Sequence, residues 1–266
     1  RHFAGIKGAL RPVLTLADTA HVILGTSAMS KLTHGMHTLL GIPQWSPAMP
    51  KAFKPEQPQP SNEREDCEAV VYFPSCINQT MGLARKSPVE QALVNKMVAL
   101  LHKAGYRIIF PKNMEKLCCG TIWESKGMMD IADRKTHELE EALWEASEQG
   151  RYPVLCDQSP CLHRMRETIH RMKLYEPAEF IYTFLRSRLV FKPVDRPVAL
   201  HITCSMRKMG LADTLIDLAR LCSTQVFVPE EVGCCGFAGD RGFTHPELNT
   251  YALRKLRTQY PDRLQQ

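Results

Sequence analysis

The sequence predicts an α/β protein in which two related, parallel-stranded subdomains follow a short helical N-terminal segment. The first observation is a duplication, because the tripeptide Cys-Cys-Gly occurs at 118–120 and again at 234–236, each time after a strand–helix–strand pattern. The second is that the strands are almost continuously apolar, as parallel strands covered on both faces are. The third is the length of 266 residues, which suffices for one large domain or two modest ones.

The N-terminal part of the chain is predicted to form a helical segment followed by a linker. Residues 14–40 carry an apolar side and predict one or two short helices. The stretch 41–60 holds six prolines, and because proline removes amide donors, no regular element is expected there. The expected organisation is a helical segment at 1–42, a proline-rich linker at 43–66, a first repeat at 67–190 and a second, truncated repeat at 191–266.

The first copy predicts a complete set of strands and helices. Residues Ser87 to Glu90 match a capping box with proline at the first helical position, and Gly105 marks the end of an amphipathic helix. Three apolar strands and one charged helix complete the copy. The strands are expected at 69–76, 106–111 and 152–156, and the charged helix at 130–149.

The second copy repeats this order over a shorter length. Strands at 198–203 and 225–229 enclose a helix with an apolar stripe, and another helix is expected at 245–257. By symmetry with the first copy, a final strand and its cysteine are expected to be missing. The glycine-rich loop 236–242 has two interpretations: a nest of backbone amides beside Arg241 that holds anionic sulfur, or a turn leading into the helix.

The cysteines follow the strands in the same way in both copies. One cysteine comes after the first strand and a pair comes after the second, and a right-handed crossover places both strand ends on one edge of the sheet. We therefore expect the thiols to converge. The predicted metal-ligating residues are Cys76, Cys118, Cys119 and Cys161 in the first copy, with Cys156 as a fifth candidate, and Cys204, Cys234 and Cys235 in the second.

The thiols favour iron–sulfur chemistry but leave alternatives open. Soft thiolates without a paired histidine pattern suit iron–sulfur clusters or zinc. Neighbouring cysteines point in different directions, so both reach one zinc ion only with distortion, whereas a cluster offers several metal corners. A buried apolar pair and a zinc site remain alternatives, while disulfides are disfavoured by the geometry of adjacent residues. Cys67 and Cys222 break the repeat and are given no role.

Charge and hydropathy exclude two classes of partner. The net charge of +6 is carried by scattered basic residues, so nucleic acid is not expected to bind. The chain shows no signal-peptide pattern, and the apolar window 13–32 is interrupted by charged residues, so no transmembrane segment is expected. We expect a cytoplasmic protein, either free or peripheral on the inner membrane face. The basic residues between Arg164 and Lys192 are expected to form a solvated face.

On these motifs the chain resembles the cysteine-rich CCG domain family from Val70 to the C-terminus. The family includes the cysteine-rich subunit of heterodisulfide reductase and the iron–sulfur subunit of glycolate oxidase. The stretch from Val228 to Phe243 is most similar to the C-terminal part of FAD-linked D-lactate and other D-2-hydroxyacid dehydrogenases. The family's closing Cys-x-x-Cys is replaced here by Cys156 and Cys161, which are separated by four residues.

This resemblance implies an oxidoreductase fragment that relays electrons. The implied cofactors are a [4Fe-4S] cluster, cubane or non-cubane, zinc at one site as an alternative, and FAD in a domain outside this sequence. That flavin domain, on which residues 1–42 are expected to pack, and a ferredoxin-like domain are the implied partners, with a quinone or a carrier protein as acceptor. The other implied roles are a zinc-binding structural module and a heterodisulfide-reductase-like catalytic subunit. No catalytic residue for the acid substrate is assigned to this chain.

Overall fold

The structure is a computed structural model that describes residues 3–41, 45–55, 67–237, 239 and 241–260. The helices are α1 (Phe3–Leu40), α2 (Leu93–Lys103), α3 (Thr121–Glu124), α4 (Met129–Ala146), α5 (Ser159–Thr168), α6 (Pro177–Phe180), α7 (Cys204–Lys208), α8 (Ala212–Cys222) and α9 (Pro246–Ala252). The strands are β1 (Pro50–Ala52), β2 (Ala69–Phe73), β3 (Met81–Ala84), β4 (Arg107–Ile109), β5 (Val154–Cys156), β6 (Leu174–Tyr175), β7 (Val194–Ala199) and β8 (Ser223–Phe227).

The first repeat is built on a four-stranded parallel sheet. Its strand order is β4-β2-β5-β6, and every neighbouring pair is parallel. Strands β2 and β5 are buried along their whole length, which is why they read as continuous apolar runs. The predicted α/β class with parallel strands is confirmed, and β6 is a fourth strand that the sequence did not predict.

Helices cover both faces of this sheet. On one face, Val94 and Leu101 of α2 pack with Val70 and Tyr72. On the other face, α4 and α5 contribute leucines and Met165, which pack with Val71 and Phe73. The sheet is therefore enclosed, and its carboxyl edge is left for the loops that carry the cysteines.

The second repeat contains a smaller parallel pair. Strands β7 and β8 pair in parallel, with α8 between them in sequence. Strand β7 begins and ends earlier than predicted, so His201 and Thr203 lie beyond its end. The helix predicted at 245–257 is present as α9 and is shorter.

Helix α1 consists of two helical segments, in agreement with the two-helix alternative, and it begins earlier than predicted. It runs from Phe3 to Leu40 and is bent at Gly25, where φ of 75° interrupts the helical backbone. Within the part of the chain that the structure describes, no helix has both the length and the apolar character needed to cross a membrane.

Two local predictions differ from the structure. Helix α2 begins at Leu93, not at the predicted capping box, because the Ser87 hydroxyl instead accepts a hydrogen bond from the amide of Val89 (3.2 Å). Part of the proline-rich stretch is regular, since β1 pairs antiparallel with β3. Pro50 is compatible with this strand because proline is tolerated at the first residue of a strand. Residues 43–44 and 56–66 of the predicted linker lie outside the described residues.

Candidate metal centre

The four thiols predicted for the first repeat lie in loops at the carboxyl edge of its sheet. Cys76 follows β2, and the pair Cys118–Cys119 follows β4 after a 3-10 turn at Met114–Lys116. Cys161 lies in the first turn of α5, just after β5. The parallel order of these strands brings four positions that are distant in sequence to one place.

The thiols interact with one another in a row. Cys76 interacts electrostatically with Cys118, Cys118 with Cys119, and Cys119 with Cys161, so that the ionisation of one thiol affects its neighbour in the row. Interaction with a neighbouring thiol, Cys118 in both cases, lowers the pKa of Cys76 and of Cys119. The pKa of Cys118 and that of Cys161 are raised, first by these same interactions and then by burial. Without a metal, ionisation of one thiol therefore opposes ionisation of the next, so the four thiols do not all ionise together.

The row is longer than the coordination shell of one zinc ion. Among the described residues, no three thiols lie within 4.8 Å of one another. Four sulfurs around one tetrahedral zinc, at Zn–S of about 2.3 Å, would all lie within roughly 4 Å of each other.

Gly120 shapes the loop after the cysteine pair. Its φ is 89°, and its amide donates to the Cys118 sulfur at 3.4 Å. A Cβ at this position would lie 2.5 Å from the carbonyl oxygen of Ala132 in α4. Glycine is required here because the backbone is left-handed and because the next helix approaches it closely.

The side chain of Arg164 is hydrogen-bonded to the backbone of the same loop. It is 3% exposed, and its Nε donates to the carbonyl of Cys119 and to the Thr136 hydroxyl, both at 3.1 Å. Its other nitrogens form ion pairs with Glu124 (2.9 Å) and Asp133 (2.6 Å). One buried guanidinium thus joins α3, α4 and α5 to the backbone of the cysteine pair.

Asp157 fixes the position of the Cys76 loop. Its carboxylate accepts hydrogen bonds from the Tyr72 hydroxyl and from the Ser75 amide, both at 2.8 Å. Burial raises the pKa of Asp157. Because Asp157 follows Cys156 at the end of β5, it ties the loop that bears Cys76 to the neighbouring strand.

Cys156 differs from the four thiols of the row. It is buried, its sulfur lies 3.9 Å from the Gln158 carbonyl oxygen, and burial raises its pKa. It packs in the same apolar cluster as Cys119 and Cys161. Its role as a fifth ligand stays a prediction.

The second repeat reproduces the local geometry of its cysteine pair. Gly236 has φ of 78°, and its amide donates to the Cys234 sulfur at 3.3 Å. A Cβ on this glycine would lie 2.4 Å from the Leu248 carbonyl oxygen. Asn249 donates to the Cys235 carbonyl at 2.8 Å, where the first repeat uses a threonine and an arginine. The duplication therefore extends to backbone geometry and hydrogen bonding.

The thiols of the second repeat are less enclosed. Cys204 is the first residue of α7 and is exposed, as is Cys234, while Cys235 is half-buried. Helix α7, which begins with Cys204, packs against α5, which carries Cys161. Joint ligation of a metal by Cys204, Cys234 and Cys235 remains a prediction.

The glycine-rich loop of this repeat forms a turn where it is described. The amide of Gly242 donates to the Phe237 carbonyl at 3.0 Å, and the Phe237 and Phe243 rings lie 4.9 Å apart. Residues 238 and 240 lie outside the described residues. The amide nest beside Arg241 stays a prediction.

The thiol row predicts unequal reactivity in metal-free protein. Cys76 is only partly buried and has a lowered pKa, so it should be alkylated by iodoacetamide with a midpoint below the ordinary thiol pKa. Replacing Cys118 with alanine removes the neighbour that lowers the pKa of Cys76 and should move that midpoint to higher pH. Mass spectrometry of the modified peptide across a pH series measures both values, and an unmoved midpoint would contradict the row.

The donor set suits an iron–sulfur or other metal centre, and a comparison with protein families agrees. The family model of the cysteine-rich CCG domain matches residues 70–166 and 198–262, more than half of the chain and both copies of the duplication. No match was found among curated proteins or among solved structures. The chain therefore belongs to the cysteine-rich CCG domain family.

Proposed function

We propose that the chain is an iron–sulfur electron-transfer domain of an FAD-dependent 2-hydroxyacid dehydrogenase. The observation that carries the proposal is the row of four interacting thiols at one sheet edge of a CCG-family chain. In this proposal the ligands of the first centre are the four thiols of that row. An iron–sulfur cluster held there would accept and release single electrons.

The protein prepares this site in three ways. The lowered pKa of Cys76 and of Cys119 favours the thiolate form that metals require. The Gly120 amide donates to sulfur, and such hydrogen bonds are one of the means by which a protein sets a cluster potential. The sulfurs of Cys119 and Cys161 are buried, which keeps water away from that end of the row.

The dehydrogenase context rests on the similarity of the stretch from Val228 to Phe243 to the C-terminal part of FAD-linked D-2-hydroxyacid dehydrogenases. In this proposal a D-lactate- or D-2-hydroxyglutarate-type acid is oxidised at a flavin domain that this sequence does not contain. The present domain passes electrons to a quinone or a carrier protein. Cys204, Cys234 and Cys235 are proposed ligands of a second centre, which needs a further donor.

Metal and acid-labile sulfide analysis of anaerobically prepared protein tests the proposal. We expect iron and sulfide in comparable amounts, together with an electron paramagnetic resonance signal after reduction or oxidation. Zinc without iron or sulfide would contradict the electron-transfer function and would favour a zinc-stabilised structural module.

A further inference from the structure

An apolar cavity of about 390 Å³ lies between α1 and the loop that follows β2. Its rim is formed by the exposed side chains of Val13, Ile77 and Ile122, whereas Phe3 in its wall is buried. Cys76 also lines this cavity. Sites for small molecules are cavities of roughly 300–1,000 Å³ with mostly apolar walls and a few polar groups. Both the size and the walls of this cavity therefore suit a small molecule.

Among the described residues that line the cavity, Lys7 is the only basic one. It is 6% exposed, its Nζ donates to Oε1 of Gln79 at 2.6 Å, and the Met114 carbonyl oxygen lies 3.5 Å away. The Gln79 amide is held with its oxygen toward the lysine, because its Nε2 donates to the Pro74 carbonyl at 2.6 Å. Glu115 attracts the ammonium, but within the described part of the chain no ion pair includes Lys7.

The charge of Lys7 indicates what kind of molecule the cavity suits. A buried cation is costly unless an opposite charge compensates it, and both hydrogen-bond partners of this ammonium are neutral. An ammonium has three donor hydrogens, and the contacts with Gln79 and Met114 use two of them. One donor remains for an anion that enters the cavity. The complement of such a cavity is a molecule with one negative charge and a hydrocarbon body.

We propose that this cavity binds an amphipathic monocarboxylate, whose carboxylate pairs with Lys7 and whose hydrocarbon body packs on the apolar walls. The pairing is stronger here than at a surface, since apolar walls screen the two charges less well than water does. Lys7 and Val13 belong to α1, which lies outside the residues matched by the family model. The site therefore adds a ligand to the chain and does not rest on the proposed electron transfer.

Calorimetric titration of the full chain at pH 7 with octanoate and with 1-octanol tests this proposal. The two probes share a hydrocarbon chain and differ in charge. Burial lowers the pKa of Lys7 to about 8, so the ammonium is still mostly charged at this pH. We expect octanoate to bind at least tenfold more tightly, because hydrogen bonds between charged groups are the stronger kind. Equal affinities, or no binding of octanoate at millimolar concentration, would overturn the proposal whatever the iron and sulfide analysis shows.

Replacing Lys7 with glutamine tests the partner of the carboxylate. Lys7→Gln removes the charge and keeps a donor for Gln79. Octanoate should bind at least tenfold more weakly to this variant, whereas the affinity for 1-octanol should change little, because the apolar walls are retained. A damaged cavity would weaken both probes equally. Such an equal loss, or an unchanged affinity for octanoate, would contradict the pairing with Lys7.

A pair of exposed valines on α1 tests where the probe binds. Val13 is 59% exposed and Val22 is 61% exposed, and their spacing places them on opposite sides of the helix. Of the two, Val13 lines the cavity. A carboxylate at the rim repels an anion, so Val13→Asp should weaken octanoate binding several-fold, while Val22→Asp should leave it unchanged. Binding unaffected by both substitutions would show that octanoate binds elsewhere and would overturn the proposal.

This pair also provides the measurement if Lys7→Gln does not fold. Both valines are exposed, and surface substitutions of this kind usually change stability little. Circular dichroism of the two variants verifies that they are folded.

Discussion

Replacing Cys119 with serine should abolish the metal centre of the first repeat. This thiol is an inner member of the row, since it interacts with both Cys118 and Cys161, and it is 3% exposed. Serine offers a harder and far less acidic donor than a thiolate. Residues that only orient ligands cost about 10–100-fold in metal affinity when removed, so loss of a central ligand should cost at least that much.

The measurement is iron and sulfide content together with the electron paramagnetic resonance spectrum. Cys118→Ser should behave in the same way, whereas Cys222→Ser serves as the control, because Cys222 is exposed and outside the row. If the spectrum and metal content of both Cys118→Ser and Cys119→Ser equal those of the unaltered protein, the assignment of the pair as ligands is wrong.

Replacing Gly120 with alanine should destabilise the first repeat by about 2–5 kcal/mol. Holding a non-glycine residue at a left-handed φ costs roughly 1–2 kcal/mol. The added Cβ would also lie 2.5 Å from a backbone carbonyl of α4, and the shift needed to relieve such overpacking costs about 1–3 kcal/mol. The free energy of unfolding of the metal-free protein in urea measures the sum.

Gly127 provides a matched control for this variant. Its φ is 73°, but nothing lies within 4 Å of a Cβ built there. Gly127→Ala should therefore show the backbone cost alone, about 1–2 kcal/mol. Equal losses in the two variants would show that the close approach of α4 to the cysteine pair contributes nothing.

The parts of the fold that could be predicted are those that local sequence specifies. Strands β2 and β5 are apolar throughout because they are buried on both faces, and Gly105 ends α2 with φ of 81°. The convergence of the four thiols followed from the rule that parallel strands end at one edge. The order of the four thiols along the row needed coordinates.

The buried polar residues around the thiols could not be predicted, because their partners are far away in sequence. Lys7 lies 72 residues from Gln79 along the chain. Arg164 was expected on a solvated face, but α3 and α4 supply its two carboxylate partners and cover it. Asp157 could have been identified from the sequence, because it comes directly after a buried strand. That place, at the carboxyl edge of a parallel sheet, is common for functional groups.

The attachment of α1 has a consequence for dissecting this protein into smaller pieces. A fragment cut at Val70, where the family match begins, would keep every one of the predicted ligands. It would nevertheless lose the only strongly buried lysine of the described chain and one wall of the apolar cavity beside Cys76. Redox and spectroscopic work on an excised repeat should therefore retain residues 3–24, up to the bend in the helix.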